Sequence, residues 1–250
     1  MLSKKIVKYI QSLSHKKFRD EEGVFIAETP KVVSEFLLSR NLECQLICAE
    51  KKWLSDKESL LENIRPDRIF EIDDHWLQSI SFLKTPNKVV AVFKKKGFAE
   101  IPHLSNKISL MLDDLQDPGN LGTLIRIADW FAVEHIVCSD NSVDCYNPKV
   151  VQSSMGSLSR VQVFYTDLFS FLEKNQNIDV YATTLSGSSI YHLPKIKEGI
   201  ILIGNEAKGI HEDLLKITTH QITIPKFGHA ESLNAAVAGG IILSHIIPGL

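Results

Sequence analysis

Much of what would place this chain in a familiar class is missing from it. Four cysteines in 250 residues, Cys44, Cys48, Cys138 and Cys145, form no C-x-x-C pair and none is joined to a histidine at zinc-finger spacing. Neither a disulfide scaffold nor a metal site is therefore expected. The N-terminus, MLSKKIVKYIQSLSHKK, is basic but lacks the apolar core and small-residue cleavage site of a secretory signal. The longest apolar run, Ala235 to Ile247, is broken by Ser244 and His245, and it is shorter than the ~20 residues a membrane-spanning helix needs. A cytoplasmic protein with reduced thiols and no membrane contact is the expectation. No G-x-G-x-x-G follows any predicted strand, which leaves a nicotinamide-dependent oxidoreductase without sequence support. Repeats and low-complexity tracts are lacking too. So is any charge excess: 28 Lys+Arg face 30 Asp+Glu, a formal net of −2. Taken as a total, that argues against a nucleic-acid partner.

The total hides a split. Residues 1–105 carry 18 basic and 15 acidic side chains, a net of +3, whereas 106–250 carry 10 and 15, a net of −5. The first 19 residues hold Lys4, Lys5, Lys8, Lys16, Lys17 and Arg19 and no acid, and Lys94, Lys95 and Lys96 form a second basic knot. Such a basic arm points toward a polyanion. The Gly-, Pro-, Ser- and Asn-containing stretch that follows suggests a linker over 98–106, between domains at 1–97 and 107–250.

In the first domain, Ile6, Val7, Ile10 and Leu13 mark one helix face. VFIAE, CQLICAE, RIFEI and KVVAVFK read as strands, Thr29-Pro30 opens a helix through Leu38, and DHWLQSISFL reads as another helix. The result is a small α/β sandwich. In the second, KISLMLDDL, EHIVCS, VQVFYT, DVYATTL, GIILIGN and QITIP read as buried strands, with helices starting near Asn120, Pro148, Asp167, Ala207 or shortly after, and Ser232. Near-continuous apolar strands alternating with helices predict a mostly parallel sheet covered on both faces. Ligands in such sheets bind beyond the carboxyl ends of the strands, so three turns hold the interest.

The first turn is LDDLQDPGNLGTLIRIADWF, residues 112–131. Gly119 and Gly122 permit a sharp turn, the helix start favours an anion, and Arg126 stands in an apolar run where it must reach solvent or a partner. A structural salt bridge to Asp113, Asp114 or Asp129 is the alternative for Arg126. In the second, GIILIGNEAKGI, Gly204 would let a flat ligand approach the backbone and Glu206 could be hydrogen-bonded or face a partner chain. Ile210 and His211 follow Gly209 where a P-loop requires Lys and Ser/Thr. In the third, ITIPKFGHAESLNAAVAGGIILSHI, Ser232 is placed to cap a long apolar helix whose N-terminus also carries Asn234.

Together DPGNLGTLIR, IGNEAKG and IPKFGHAESLNAAVA resemble the three motifs of the SpoU (TrmH-like) branch of the SPOUT methyltransferases, and YNPKVVQSSMGSL resembles the segment following the first motif. SLSHKKFRDEEGVFIAETPKVVSEFL is similar to that family's N-terminal RNA-binding domain, an L30e-like sandwich. The resemblance implies an α/β fold with a trefoil-knotted C-terminal domain, a homodimer formed through that domain, and S-adenosylmethionine as cofactor. It implies methylation of a ribose 2′-hydroxyl in RNA, ribosomal more than transfer RNA, with no metal and no DNA. Position by position, it gives Gly204, Ile224, Leu233 and Thr183 to the cofactor, and Arg126, Asn120, Glu206, Ser232 and Asn234 to catalysis. Lys16, Lys17 and Arg19 are the candidate RNA contacts. A guanidinium is a poor base, its pKa exceeding ~12, so Arg126 is expected to orient the hydroxyl and stabilise charge developing on its oxygen. The sequence departs from the family at Thr29, Ala132 and Ala207, each in place of glycine, and at Ala235-Ala236. A non-catalytic RNA-binding or assembly factor on the same fold is the alternative.

Overall fold

The computed structural model describes residues 2–39, 41–97 and 100–247. Phe98 and Ala99, the first residues of the expected linker, lie outside them. The chain divides into two units, Met1–Gly97 with Asp144–Ser159, and Phe98–Val143 with Arg160–Leu250.

The first unit runs α1 (Lys4–Ser12), α2 (Lys16–Glu22), β1 (Val24–Glu28), α3 (Pro30–Ser39), β2 (Cys44–Ala49), α4 (Lys51–Asp56), α5 (Glu58–Leu61), β3 (Ile69–Glu71), α6 (Asp74–Ile80) and β4 (Val89–Lys94). Its sheet has the order β1-β4-β2-β3, antiparallel except for β2–β3. Alternation along the strands sends Val24, Ile26, Val90 and Val92 into one cluster with Ile10 and Leu13 beneath α1 and Leu77 and Ile80 of α6. Phe25 and Phe93 face the other way, where Phe36 of α3 meets both rings edge-on at 5.8 and 5.4 Å. All four predicted strands form. The helix predicted over DHWLQSISFL stops at Ile80, because Ser81 turns extended. Helices α2, α4 and α5 escape the sequence reading: α4 and α5, at six and four residues, are too short to display a helical period, and α2, KKFRDEE, has Phe18 as its single apolar residue.

The second unit runs β5 (Ile108–Leu112), α7 (Pro118–Trp130), β6 (His135–Ser139), β7 (Gln162–Thr166), α9 (Leu168–Lys174), β8 (Val180–Ser189), β9 (Gly199–Ile203), α10 (Glu212–Lys216), β10 (His220–Thr223) and α11 (Ala235–Ile246). Its six strands are ordered β10-β8-β9-β5-β6-β7 and every pair is parallel. Met111, Val137, Ala182, Ile200 and Leu202 form its core with Leu168, Leu172 and Leu214 from α9 and α10. On α11, a Cβ added at Gly239 would meet Leu124 Cδ2 of α7 at 2.6 Å, so that glycine sets how closely the two helices pack.

The intervening segment, containing α8 (Pro148–Ser154), belongs by its contacts to the first unit. The sequence reading places it in the second domain, since its neighbours on both sides are strands of the second sheet. Tyr146 lies 4.7 Å from Phe25, centroid to centroid, and a Cβ at Gly156 (φ +98°) would fall 2.5 Å from Glu35 Cβ of α3. Two of the three positions where the family has glycine keep a left-handed backbone without it: Thr29 has φ +75° and Ala132 φ +56°. An L-residue there costs roughly 1–2 kcal/mol.

Candidate functional site

The first turn is organised by a residue that the sequence reading passes over. Asp117 caps α7, its carboxylate accepting from Asn120 N–H at 2.8 Å, with Pro118 in the first turn. The Asp-Pro pair ahead of an apolar period is the sequence signal for this start. Asn120 is thereby turned inward and left 8% exposed. Its Nδ2 donates to Glu206 Oε1 at 2.8 Å, and its Oδ1 accepts from Asn234 Nδ2 at 2.8 Å. Asn234 is the N-cap of α11, its Oδ1 accepting from Ala236 and Val237 N–H at 3.0 and 3.2 Å. The direction of this line is dictated from both ends. A carboxylate only accepts and helix N–H groups only donate, so both amides must point their NH2 toward Glu206. One residue from each turn is thus held in a single polarised relay.

The second turn doubles back on itself. Asn205 and Gly209 form a two-way backbone bridge at 3.0 Å, while Asn205 Oδ1 accepts from Ala207 and Lys208 N–H at 2.9 and 3.0 Å. A Cβ on Gly204 would lie 2.3 Å from the Gly209 carbonyl carbon and 2.4 Å from Ile210 N. The Cβ direction of Gly204 is thus filled by the chain's own backbone, so the turn itself requires glycine there. The reversal takes up Asn205–Gly209, and α10 starts past it, at Glu212. Asn205 Nδ2 donates to the Asp114 carbonyl at 2.8 Å, and buried Asp113 accepts from His211 N–H and Nδ1, both at 2.8 Å. These bonds stitch the second turn to the end of β5. They occupy Asp113, leaving it no part in a bridge to Arg126.

In the third turn Ser232 is exposed and caps nothing; α11 begins three residues later, after Asn234. Asparagine wins because its carbonyl reaches the helix N–H groups while its NH2 completes the relay. Leu233 is 50% exposed and Ile224 half-buried. Across from them the β8–β10 ladder jumps from the pair Ala182–Gln221 to Ser188–Ile222, so residues 183–187 bulge out of it, Thr183 first. Thr184 Oγ1 is buried there with no hydrogen-bond partner, and an orphaned hydroxyl beside an opened ladder is a group that a polar ligand can satisfy.

Arg126 stands apart from the relay. Six residues beyond Asn120 places it about 120° around α7. It is exposed and forms no salt bridge among the described residues; Asp129 is taken by Arg160, at 2.8 Å from Nη2. One turn further along α7 Trp130 is 84% exposed, and on α11 Val237 is 51% exposed. In the first unit Lys16 and Lys17 are exposed, Lys17 lying 3.8 Å from Glu21. Arg19 is different: 2% exposed, it pairs with Asp144 at 2.7 Å and donates to the carbonyls of Leu13 and Ser14. It has no reach to a phosphate and is removed from the candidate RNA contacts. A cleft of about 510 Å³ opens at the carboxyl ends of β5 and β6, lined by residues including Asp113, Ser139, Asp167, Phe169 and His211. None of Asn120, Arg126, Glu206 or Asn234 lines it.

The chain matches the SpoU rRNA methylase family over residues 107–244 and the MRM3-like substrate binding domain over residues 4–91. It is 29% identical over 244 residues to the 23S rRNA (guanosine(2553)-2′-O)-methyltransferase RlmP of Bacillus subtilis, covering 96% of this chain and 95% of that protein. A TrmH-family protein from Porphyromonas gingivalis superposes with a TM-score of 0.86 at 34% identity, covering 99% and 98% of the two chains. The S-adenosylmethionine-bound rRNA methyltransferase of Sinorhizobium meliloti superposes with a TM-score of 0.86 at 28% identity, covering 98% and 95%. With its three motif turns joined through Asn120, this chain belongs to the SpoU rRNA methylase family.

Proposed function

We propose that this protein transfers a methyl group from S-adenosylmethionine to a ribose 2′-hydroxyl of ribosomal RNA. The observation that carries the reading is the Glu206–Asn120–Asn234 relay, which ties together the three turns bearing the family's motifs. A ribosomal substrate is favoured because the relatives with named substrates include RlmP, and because the first unit matches a substrate-binding domain.

The residues present suit the cofactor. Gly204, Ile224 and Leu233 would hold it through backbone groups, with half-exposed Leu233 offering apolar cover, and Thr183 at the mouth of the β8 bulge beside the unsatisfied Thr184 hydroxyl. When bound, S-adenosylmethionine supplies an electrophilic methyl on a sulfonium. The chain's own task is to present the hydroxyl oxygen in line with that methyl and to stabilise the charge that develops as its proton leaves. Arg126 fits the second role, as an exposed guanidinium with no partner of its own among the described residues. The relay keeps Asn120 and Asn234 in one orientation, so neither amide reorganises during the reaction. Ser232, free of the capping role, is available to the RNA or to the cofactor's polar end.

The proposal includes a homodimer through the second unit, the trefoil knot of the family and action in the cytoplasm. Exposed Trp130 and Val237, on α7 and α11, are apolar groups that such a dimer would cover. Arg126, turned away from its own relay, would then act with a partner's. Lys16 and Lys17 remain the proposed RNA contacts of the first unit. The test is to map 2′-O-methyl nucleosides in ribosomal RNA from cells lacking the protein, and to incubate the purified protein with labelled cofactor and that RNA. One lost site, restored in vitro, is expected; no lost site and no incorporation into any cellular RNA would remove the reading. Arg126→Ala is expected to abolish turnover while calorimetry still registers cofactor binding.

A further inference from the structure

We infer that the end of the first sheet where β1 and β2 finish and β4 begins is a docking face for backbone phosphates of the substrate RNA, gripped by Lys31, Lys51, Lys52, Lys84 and Lys88. The inference rests on the function proposed above. It adds to Lys16 and Lys17 a set of cations that no single run of the sequence displays.

Strand direction brings these lysines together. β4 runs antiparallel to both β1 and β2, so its first residues lie beside their last: Val90 pairs with Glu28, and Val89 with Ala49. The ladder continues just beyond the strands, Thr29 N–H donating to the Val89 carbonyl at 3.2 Å and Glu50 N–H to the Lys88 carbonyl at 3.0 Å. Neighbouring strands lie ~4.8 Å apart, so the three chain crossings at this end span only about 10 Å. Lys31 follows at the start of α3, Lys51 and Lys52 open α4, and the loop into β4 carries Lys84 and Lys88. All five are exposed, and none forms an ion pair among the described residues.

Charge of the other sign is occupied or set aside. Glu28 is buried at this end, and its carboxylate accepts from the Ser81 hydroxyl and Phe82 N–H, which fastens the root of the lysine-bearing loop to β1. Glu50 is half-buried ahead of α4. Glu71, Asp73 and Asp74 lie toward β3, which borders only β2, and Asp73 caps α6. The basic knot that the sequence does display is used within the unit instead. Lys94 faces Glu43 at 3.7 Å, Lys95 pairs with Asp20 at 2.5 Å, and Lys96 Nζ donates to the Ser159 carbonyl at 2.7 Å.

Folding alone gives no reason for the grouping. Unpaired cations gathered in one place repel one another. Lys31, Lys51 and Lys52 stand in first helical turns, where the helix dipole disfavours a cation. Lys88 holds φ +60°, a conformation that glycine adopts freely. Local rules broken together in one place mark a functional surface. RNA is the occupant that the charge selects, because each phosphate neutralised by a lysine releases counterions.

The test measures binding of the full chain to ribosomal RNA from cells lacking the protein, by filter retention between about 50 and 200 mM salt. Lys51→Gln/Lys88→Gln is compared with Lys107→Gln/Lys216→Gln, which removes the same number of lysines from pairs with Glu134 and Asp213 in the second unit. The first is expected to flatten the slope of log K against log salt by about 1.4–1.8 at unchanged cofactor Kd, and the second to leave the slope as it was. Lys51→Arg/Lys88→Arg, which keeps the charge, should retain the unsubstituted slope. The face is overturned by an unaltered slope in Lys51→Gln/Lys88→Gln, by an equal fall in both glutamine pairs, by a flattened slope in the arginine pair, or by an unsubstituted chain that does not bind the RNA. Methyl incorporation is followed in the same mixtures. RNA bound with the expected salt dependence but never methylated defeats the proposed function and leaves the face standing.

Discussion

Asn234 performs two tasks that can be separated by substitution: it caps α11 through Oδ1 and it drives the relay through Nδ2. Asn234→Ala removes both. Losing the cap costs about 0.5–2 kcal/mol, and leaving the buried Asn120 Oδ1 unsatisfied costs about 1–3 kcal/mol more. The sum, about 1.5–5 kcal/mol, should lower Tm by about 3–20 °C for a chain of this size. Asn234→Asp keeps the cap, and its charge at the helix N-terminus is favourable by about 0.3–1 kcal/mol. It nevertheless sets a carboxylate oxygen against Asn120 Oδ1, where a 2.8 Å hydrogen bond stood. Asn120 cannot escape by flipping, because its oxygen would then face the Glu206 carboxylate. Asn234→Asp is therefore expected to retain most of the stability at neutral pH yet lose methyl transfer. Its defect should ease in acid, because the protonated carboxyl regains a donor and its folded pKa is thus raised; the added stability is present at low pH and disappears as pH rises through that raised value. Scanning calorimetry of Asn120→Ala, both Asn234 variants and the double substitutions measures the coupling. If Asn234→Asp is as unstable as Asn234→Ala, and the cycle with Asn120→Ala is additive within about 0.3 kcal/mol, the relay contributes nothing and the argument fails.

Four further outcomes follow from single residues. Gly204→Ala should cost about 2–3 kcal/mol, the upper range of overpacking because only backbone stands in the way, and weaken S-adenosylmethionine binding; wild-type affinity by calorimetric titration counts against it. Thr29→Gly should raise stability by about 0.5–1 kcal/mol, relief of the left-handed strain outweighing the added freedom of the unfolded chain, and an unchanged urea midpoint contradicts this. Burial raises the pKa of Glu28, partly offset by hydrogen bonds from the Ser81 hydroxyl and Phe82 N–H. Its contribution to stability is therefore present below about pH 4.5 and lost as pH rises through the raised value. Glu28→Gln should flatten that part of the urea-midpoint profile, and parallel profiles would show another group responsible. Burial pushes the Cys44 and Cys48 thiols up to about 12, so iodoacetamide at pH 8 should label them only on unfolding, and rapid labelling of the folded protein in a mass-spectrometric time course refutes it.

The sequence by itself determined the sheet-bearing character of both halves and the three turns where chemistry belongs. Strand positions follow from apolar runs and alternation, which are local signals, and each motif's residues stand within one short stretch. The start of α7 had a local signal too, the Asp117-Pro118 pair, which the reading passed over in setting the helix start near Asn120. The tertiary structure alone decided which groups meet. Glu206, Asn120 and Asn234 are 86 and 114 residues apart in sequence, and no local pattern announces a hydrogen bond across such distances. Arg19 shows the same limit from the other side. In a basic N-terminal run it reads as a surface cation, yet Asp144, 125 residues away, draws it into the interior. The segment 144–159 is contiguous with second-sheet strands in the chain and packed on the first sheet in space. Apolar periodicity says which face of an element is buried, whereas the partner that buries it is chosen by packing and charge complementarity over the whole fold.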